Sequence, residues 1–281
     1  MVRPCAGRSA SAAVTLVAAA GCALVLGLSG CGRASGTAAA AAPRASTAYT
    51  LMQMNLCLSG LAGCYHKVRY PGVVQEAIAR IRQAHPDAIT FNEACGGDVA
   101  RIARRTGYHV RFSHVIYYGK PLSCIRPGGR GLFGDAVLTR AAIESAVSHP
   151  FTAQAGPEQR QWLCAGTRVG VEVCTAHLAS PEPIEAPANA PQCAELTAVL
   201  ARRASGRPLI FGGDVNRLPS CAPDGFWTRT DASARQDPGS QQVYGSGALR
   251  SPSARIVPAT HTDHDILLVR AYLTSPRKAG G

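Results

Sequence analysis

Lysine is nearly absent from this 281-residue chain: its 29 basic residues are 26 arginines and 3 lysines, set against 17 acids for a formal charge of +12. An excess of that sign favours polyanions. An arginine bias in an alanine-rich chain also follows from a genome's base composition, so charge alone does not establish a nucleic-acid partner. The sequence shows no internal repeat, which excludes solenoids and propellers. Beyond one N-terminal stretch there is no further apolar run of spanning length, which excludes a multi-span membrane protein. Cys-x-x-Cys pairs and cysteine-rich knuckles are missing too, which argues against the usual zinc frameworks.

The N-terminal stretch has the order of an export signal. Arg3 and Arg8 precede a small-residue apolar run from Ala12 to Leu28, and Leu28-Ser29-Gly30-Cys31 closes it. That ending resembles the lipobox of bacterial lipoproteins, which implies a lipid on Cys31; a plain secretory signal cut elsewhere and a retained membrane helix are the alternatives. Residues 1–31 are therefore expected to be a signal segment, 32–48 a flexible tether, 49–273 one domain and 274–281 a tail. Removing the leader takes away two arginines and no acid, lowering the charge from +12 to +10. Such a chain would work outside the cytoplasm, lipid-anchored or secreted, and nothing in it suggests more than a monomer.

Eight cysteines follow the leader, an even count that reads as disulfides in an oxidising compartment. They allow 105 connectivities. Pairing sequence neighbours gives Cys57 with Cys64, Cys95 with Cys124, Cys164 with Cys174 and Cys193 with Cys221.

Apolar spacing alternates between the two periodicities. Tyr49–Cys57 and Asp87–Phe91 read as inner strands. Val73–Ala84 carries Val74, Ala77, Ile78 and Ile81 at helical spacing and stops at His85-Pro86. A short helix over 97–106 and a longer one over 189–204 are expected. Strands are expected at 108–116, 132–139, 143–148, 160–165, 169–176 and 207–211, with a last one at 265–273. The pair around Gly166–Gly170 reads as an antiparallel hairpin. Residues 219–260 are so rich in Gly, Pro, Ser and Asp that they read as mostly loop. Many strands with few helices predict a mixed α/β fold of two packed sheets flanked by helices.

Polar residues recur where the strands end. Asn55 closes the first strand, Glu93 the second, and His177 closes VEVCTAH; Asp263-His264 opens the last strand. The stretch FGGDVNRLP runs a greasy strand into two glycines, read as a bend, that present Asp214 and Asn216 to one pocket. Acids and amides delivered by separate strands to one rim are what an oxygen-ligand metal site with phosphate-binding helpers requires.

The ordered set QMNLC, FNEAC, GDAVLTR, CTAHL, GDVN and TDH resembles the endonuclease/exonuclease/phosphatase superfamily, which includes pancreatic-type deoxyribonucleases, abasic-site endonucleases, neutral sphingomyelinases and inositol-phosphate 5-phosphatases. The resemblance implies a four-layer α/β/β/α sandwich and a hydrolase using Mg2+ or Mn2+. It implies Glu93 as the main metal ligand with Asn55 beside it, and Asp214 orienting or deprotonating the attacking water. By the same resemblance Asn216 holds a phosphate oxygen, His264 contacts the scissile phosphate with Asp263 tuning it, and His177 is a proton donor to the leaving group. A nuclease acting on nucleic acid is the implied activity. A sphingomyelinase-like, phospholipase-like or sugar-phosphate phosphatase activity is the alternative, and a non-catalytic binding lipoprotein is the alternative of another class. The chain departs from the pattern in having Asp135 where the family has Asn, and in showing no acid of the late I-D-Y-I type between 220 and 260. Tyr117 or Tyr118 could supply the family's tyrosine.

Overall fold

The computed structural model describes residues 46–274. The signal segment with Cys31, most of the expected tether and nearly all of the tail lie outside them. The described residues form β1 (Thr47–Asn55), α1 (Gly72–Ala84), β2 (Ala88–Cys95), α2 (Gly96–Thr106), β3 (His109–His114), β4 (Ile116–Tyr117), β5 (Lys120–Pro121), β6 (Phe133–Thr139), β7 (Ile143–Pro150), β8 (Glu158–Gln159), β9 (Gln161–Thr167) and β10 (Glu172–Ala176). They continue with α3 (Ala186–Arg203), β11 (Leu209–Asp214), β12 (Trp227–Thr230), β13 (Gln241–Gly245), β14 (Leu249–Val257) and β15 (Ile266–Leu273).

Two six-stranded sheets carry the fold, in the orders β14-β15-β1-β2-β6-β3 and β12-β13-β11-β10-β9-β7. Within each, one parallel pair lies among antiparallel neighbours: β1 with β2, and β10 with β11. The first sheet buries Met52, Met54, Ile89 and Phe91 against the apolar stripes of α1 and α2. On the second, Leu209 and Phe211 pack with Leu196 and Leu200 of α3. Leu51, Val137, Val173, Ile210, Leu267 and Val269 fill the space between the sheets. The architecture is the expected four-layer α/β/β/α sandwich.

Because alternate residues of a strand share a face, each inner face can be followed along its strand, and four of them change character in the same direction. Apolar Leu51, Ala88, Val173 and Ile210 give way to Gln53, Thr90, Thr175 and Gly212, and then to Asn55, Asn92, His177 and Asp214. The C-terminal ends of the two parallel pairs thus meet as a polar mouth on an apolar core.

The hairpin of β9 and β10 and the helix α1 stand where expected. α1 stops at His85, whose left-handed backbone precedes Pro86. Other expectations need correction. β1 begins at Thr47, paired with Leu273, so two residues assigned to the tether belong to the sheet. The larger part of residues 219–260 is loop as expected, but three unexpected strands, β12, β13 and β14, lie there too. Their polar side chains are satisfied inside the protein: buried Gln242 donates to Arg217 O at 2.7 Å and accepts from Tyr244 Oη at 2.6 Å. The two glycines of FGGD do not bend the chain either. They lie within β11, opposite Val243 and Gln242 of β13. A Cβ on Gly212 would meet Thr90 Oγ1 at 2.5 Å, and one on Gly213 would meet Ala176 O at 2.3 Å. They are there for close approach of neighbouring chain.

The structure joins the four neighbouring cysteine pairs, 57–64, 95–124, 164–174 and 193–221. Among the described residues no helix is long and apolar enough to cross a membrane.

Candidate active site

The polar mouth opens into a cavity of about 790 Å³ whose lining includes Glu93, His177, Asp214, Asn216, Asp263 and His264. Asn55, the remaining residue expected there, lies just beneath it. Its Nδ2 donates to Glu93 Oε1 at 2.8 Å and to Asp214 Oδ2 at 2.9 Å, while its Oδ1 accepts from the Cys57 backbone N–H at 3.0 Å. In this arrangement Asn55 ties the two carboxylates together and presents its nitrogen, not its oxygen, to them.

Glu93 reaches the cavity through a β-bulge. The pairing of β2 with β6 slips between Phe91 and Ala94, and Glu93 adopts φ 54°, a left-handed conformation uncommon for a residue with a Cβ. The bulge lets Asn92 and Glu93 both point inward. Asn92 is fully buried, accepts from the Asp214 backbone N–H at 2.8 Å and donates to Asp135 Oδ1 at 2.9 Å. Burial pushes the Glu93 carboxyl up to about 7, against the lowering effect of Asn55 and of the His264 and Arg160 charges. Burial likewise pushes Asp135 up to about 7.

Asp214 behaves oppositely. Burial raises its carboxyl, but the charge and hydrogen bonding of His264, with help from Asn55, more than offset this and hold it well below the usual carboxylate range. His264 Nε2 lies 3.3 Å from Asp214 Oδ2 and 2.8 Å from Asp237 Oδ2, and its Nδ1 lies 3.0 Å from Asp263 Oδ1. Three carboxylates overcome its burial and raise it far above an ordinary histidine, so His264 is a buried cation. Nε2 thus sits between the Asp214 and Asp237 carboxylate oxygens, off the ideal hydrogen-bonding line to either.

His177 is held differently. Its Nδ1 contacts Arg160 Nη1 at 2.6 Å, and Arg160 also bridges to Glu158 and Glu185, each at 3.1 Å. A guanidinium can only donate, so Nδ1 accepts and the ring proton sits on Nε2. Burial and the Arg160 charge push the imidazole down to about 3, which keeps it neutral. Its Nε2 lies 3.9 Å from both Glu93 Oε1 and Asp214 Oδ2. Asn216, in left-handed backbone at φ 50°, brings its Nδ2 to 3.1 Å from the same atom.

Every site residue expected from the sequence in the described part of the chain therefore converges here. Sequence reasoning missed Asn92, Glu158, Arg160 and Asp237. Arg160 stands at the start of the strand expected over 160–165, with no local pattern to mark it, yet it is buried between β8 and β9. Asp237 comes from the 220–260 segment in which no acid was recognised.

The donor set fits a hard divalent cation. Ligand atoms of Glu93, His177 and Asp214 lie within 4.8 Å of one another. Glu93 is a desolvated carboxylate without an ion pair of its own among the described residues, its nearest basic side chain being the neutral His177 at 3.9 Å. Mg2+ is held in this manner, through one or two carboxylates with water and substrate oxygens completing the shell.

Two sheets whose parallel pairs deliver carboxylates, amides and a histidine to one mouth, joined there by a second histidine from the loop before β15, form a hydrolase-like two-sheet sandwich. Residues 65–264 match the Endonuclease/Exonuclease/phosphatase family, and the chain belongs to it. TDP2 from Caenorhabditis elegans is similar in structure at 17% identity, with 80% of this chain and 74% of that chain covered and a TM-score of 0.57. The catalytic domain of human Nocturnin with a bound sulfate anion matches at 16% identity over 81% of this chain and 95% of its own, with a TM-score of 0.61. An endonuclease/exonuclease/phosphatase from Beutenbergia cavernae matches at 18% identity over 81% and 72%, with a TM-score of 0.58. No curated protein sequence matches the chain.

Proposed function

We propose that this protein is a divalent-metal-dependent phosphodiester hydrolase, exported and anchored through Cys31, with nucleic acid as its substrate. The observation that carries the hydrolase reading is the pairing of an ionised Asp214 with a cationic His264 beside a desolvated Glu93. Glu93 would hold Mg2+ or Mn2+, with Asn55 fixing its carboxylate. A cation there polarises a phosphoryl oxygen and stabilises the departing one. Asp214, held ionised, accepts a hydrogen bond from the attacking water and aims it. His264 turns its Nε2 proton from the neighbouring carboxylates to a phosphoryl oxygen, and Asn216 binds another. His177, neutral with its proton on Nε2, donates a hydrogen bond to the leaving oxygen.

The surplus of arginine supports a polyanionic substrate, and four disulfides suit an oxidising compartment. A lipid or sugar phosphodiester is the second reading, favoured by the exposed apolar side chains of Leu61, Tyr118 and Ile184 in the cavity lining. The test is hydrolysis of plasmid DNA and of bis-p-nitrophenyl phosphate with Mg2+, Mn2+ or EDTA, beside Asp214→Asn. Metal-dependent cleavage of both, lost in the variant, is expected. Cleavage of the small ester alone would select the second reading, and turnover of neither would remove the hydrolase. For the anchor, wild-type protein should incorporate a labelled fatty acid and Cys31→Ser should not; absence of label in the wild type, or equal label in the variant, would refute a lipid on Cys31.

A further inference from the structure

Seven large apolar side chains are exposed among the described residues, and five of them lie on the loops that surround one cavity. Leu61, Tyr118 and Ile184 line its mouth and are 50%, 75% and 65% exposed. Ile125, 43% exposed, is tied to the first of these loops by its backbone bond to Ser59 O at 3.0 Å. Leu218, 73% exposed, packs at Gly239, two residues from Asp237 of the cavity wall. Exposed apolar residues scattered singly need no explanation, but a ring of them around a polar mouth marks a contact surface.

Cations accompany this ring. Exposed Lys67 follows Leu61 on the same loop, Lys120 follows Tyr118, and Arg126 follows Ile125; the exposed acids of the rim are Glu182 beside Ile184 and Asp237 near Leu218. Aliphatic tips interleaved with basic side chains match the boundary of an anionic bilayer, where the tips enter the acyl region and the cations meet the headgroups. Four of the five are aliphatic and offer no face on which a base could stack, so the ring fits lipid better than nucleic acid. We propose that the rim of the catalytic cavity is a membrane-docking surface that seats the open mouth on an anionic lipid surface. This surface would act in addition to any N-terminal anchor, and independently of which phosphodiester the site cleaves.

The test uses the full chain carrying Cys31→Ser, so that no acyl group contributes. It would be sedimented with vesicles of phosphatidylcholine alone and with phosphatidylglycerol added, and hydrogen exchange of the rim loops would be followed in parallel. Binding to the anionic vesicles with protection of residues 59–66, 117–120 and 123–128 is expected. Leu61→Ser/Ile125→Ser/Ile184→Ser, all at exposed positions, should weaken binding by roughly tenfold or more, and Lys120→Glu/Arg126→Glu by at least about fivefold per cation. Hydrolysis of bis-p-nitrophenyl phosphate should be unchanged in both, which separates this surface from the catalytic reading. The proposal is overturned by absence of vesicle binding, by binding that survives the apolar substitutions, or by protection of the loops with single-stranded oligonucleotide but not with vesicles.

Discussion

Asp214 and Glu93 are two carboxylates less than one side chain apart, and their surroundings drive them in opposite directions. The contrast yields a pair of predictions. Asp214→Asn removes the acceptor that aims water while keeping the shape, so the rate should fall by about 10²- to 10⁴-fold, with an unchanged circular dichroism spectrum. For Glu93 the folded carboxyl titrates near 7 against an ordinary 4.5. Between those values the folded protein holds a proton that the unfolded chain has lost, so stability contributed by Glu93 is present at low pH and is lost as pH rises toward 7. The stability difference between the wild type and Glu93→Gln, read by urea denaturation without metal, should therefore fall as pH rises through that window and level off above it. A bound cation requires the ionised form, so the rise in Tm on adding Mg2+ should be larger at pH 8 than at pH 5 and should vanish in Glu93→Gln.

Among the elements, β11 and the loop before β15 do the positioning, by different means. β11 carries Asp214 past Thr90 and Leu51 of the facing sheet at Gly212 and past Ala176 of the neighbouring strand β10 at Gly213, too closely for a Cβ at either. Gly213→Ala, set against the Ala176 carbonyl, should cost about 3 kcal/mol or more in urea denaturation, at the upper end for overpacking. The loop before β15 is held from α1. Half-buried Glu76 accepts from the backbone N–H groups of Thr260 and His261, each at 3.1 Å, and meets His261 Nδ1 at 2.8 Å. Thr262 Oγ1 then donates to Asn55 O at 3.0 Å, which brings Asp263 and His264 to the mouth. Glu76→Ala should lower kcat by up to about 10²-fold through misplacement of His264, with KM for bis-p-nitrophenyl phosphate little changed.

At the scale of the whole molecule, the disulfides divide by the length of chain they close. Cys95–Cys124 and Cys193–Cys221 span 29 and 28 residues, against 7 for Cys57–Cys64. A longer loop removes more freedom from the unfolded chain, so losing either long pair should destabilise by about 1 kcal/mol more than losing the short one. Paired Cys→Ala variants compared by thermal unfolding would check this, and mass spectrometry under non-reducing denaturation should find the eight cysteines without free thiols.

The residues of the site were legible in the sequence because each sits where an apolar run ends, and their order along the chain matched one known arrangement. Helix α1 and the β9–β10 hairpin were legible because their contacts are local and periodic. Strands β12 to β14 were not: their polar residues are satisfied by partners distant in sequence, and Gly, Pro and Ser at edges and bulges mimic a loop. Arg160 and Asp237 escaped for the same reason, since neither has a local pattern and each acquires its role from a side chain far along the chain, His177 and His264. The sequence by itself determined which groups the chain could bring to a phosphate, through residue type and strand position. Only the tertiary structure decided their protonation, because burial and the neighbouring charges that hold Asp214 ionised, His264 cationic and His177 neutral exist only once the two sheets have closed on one another.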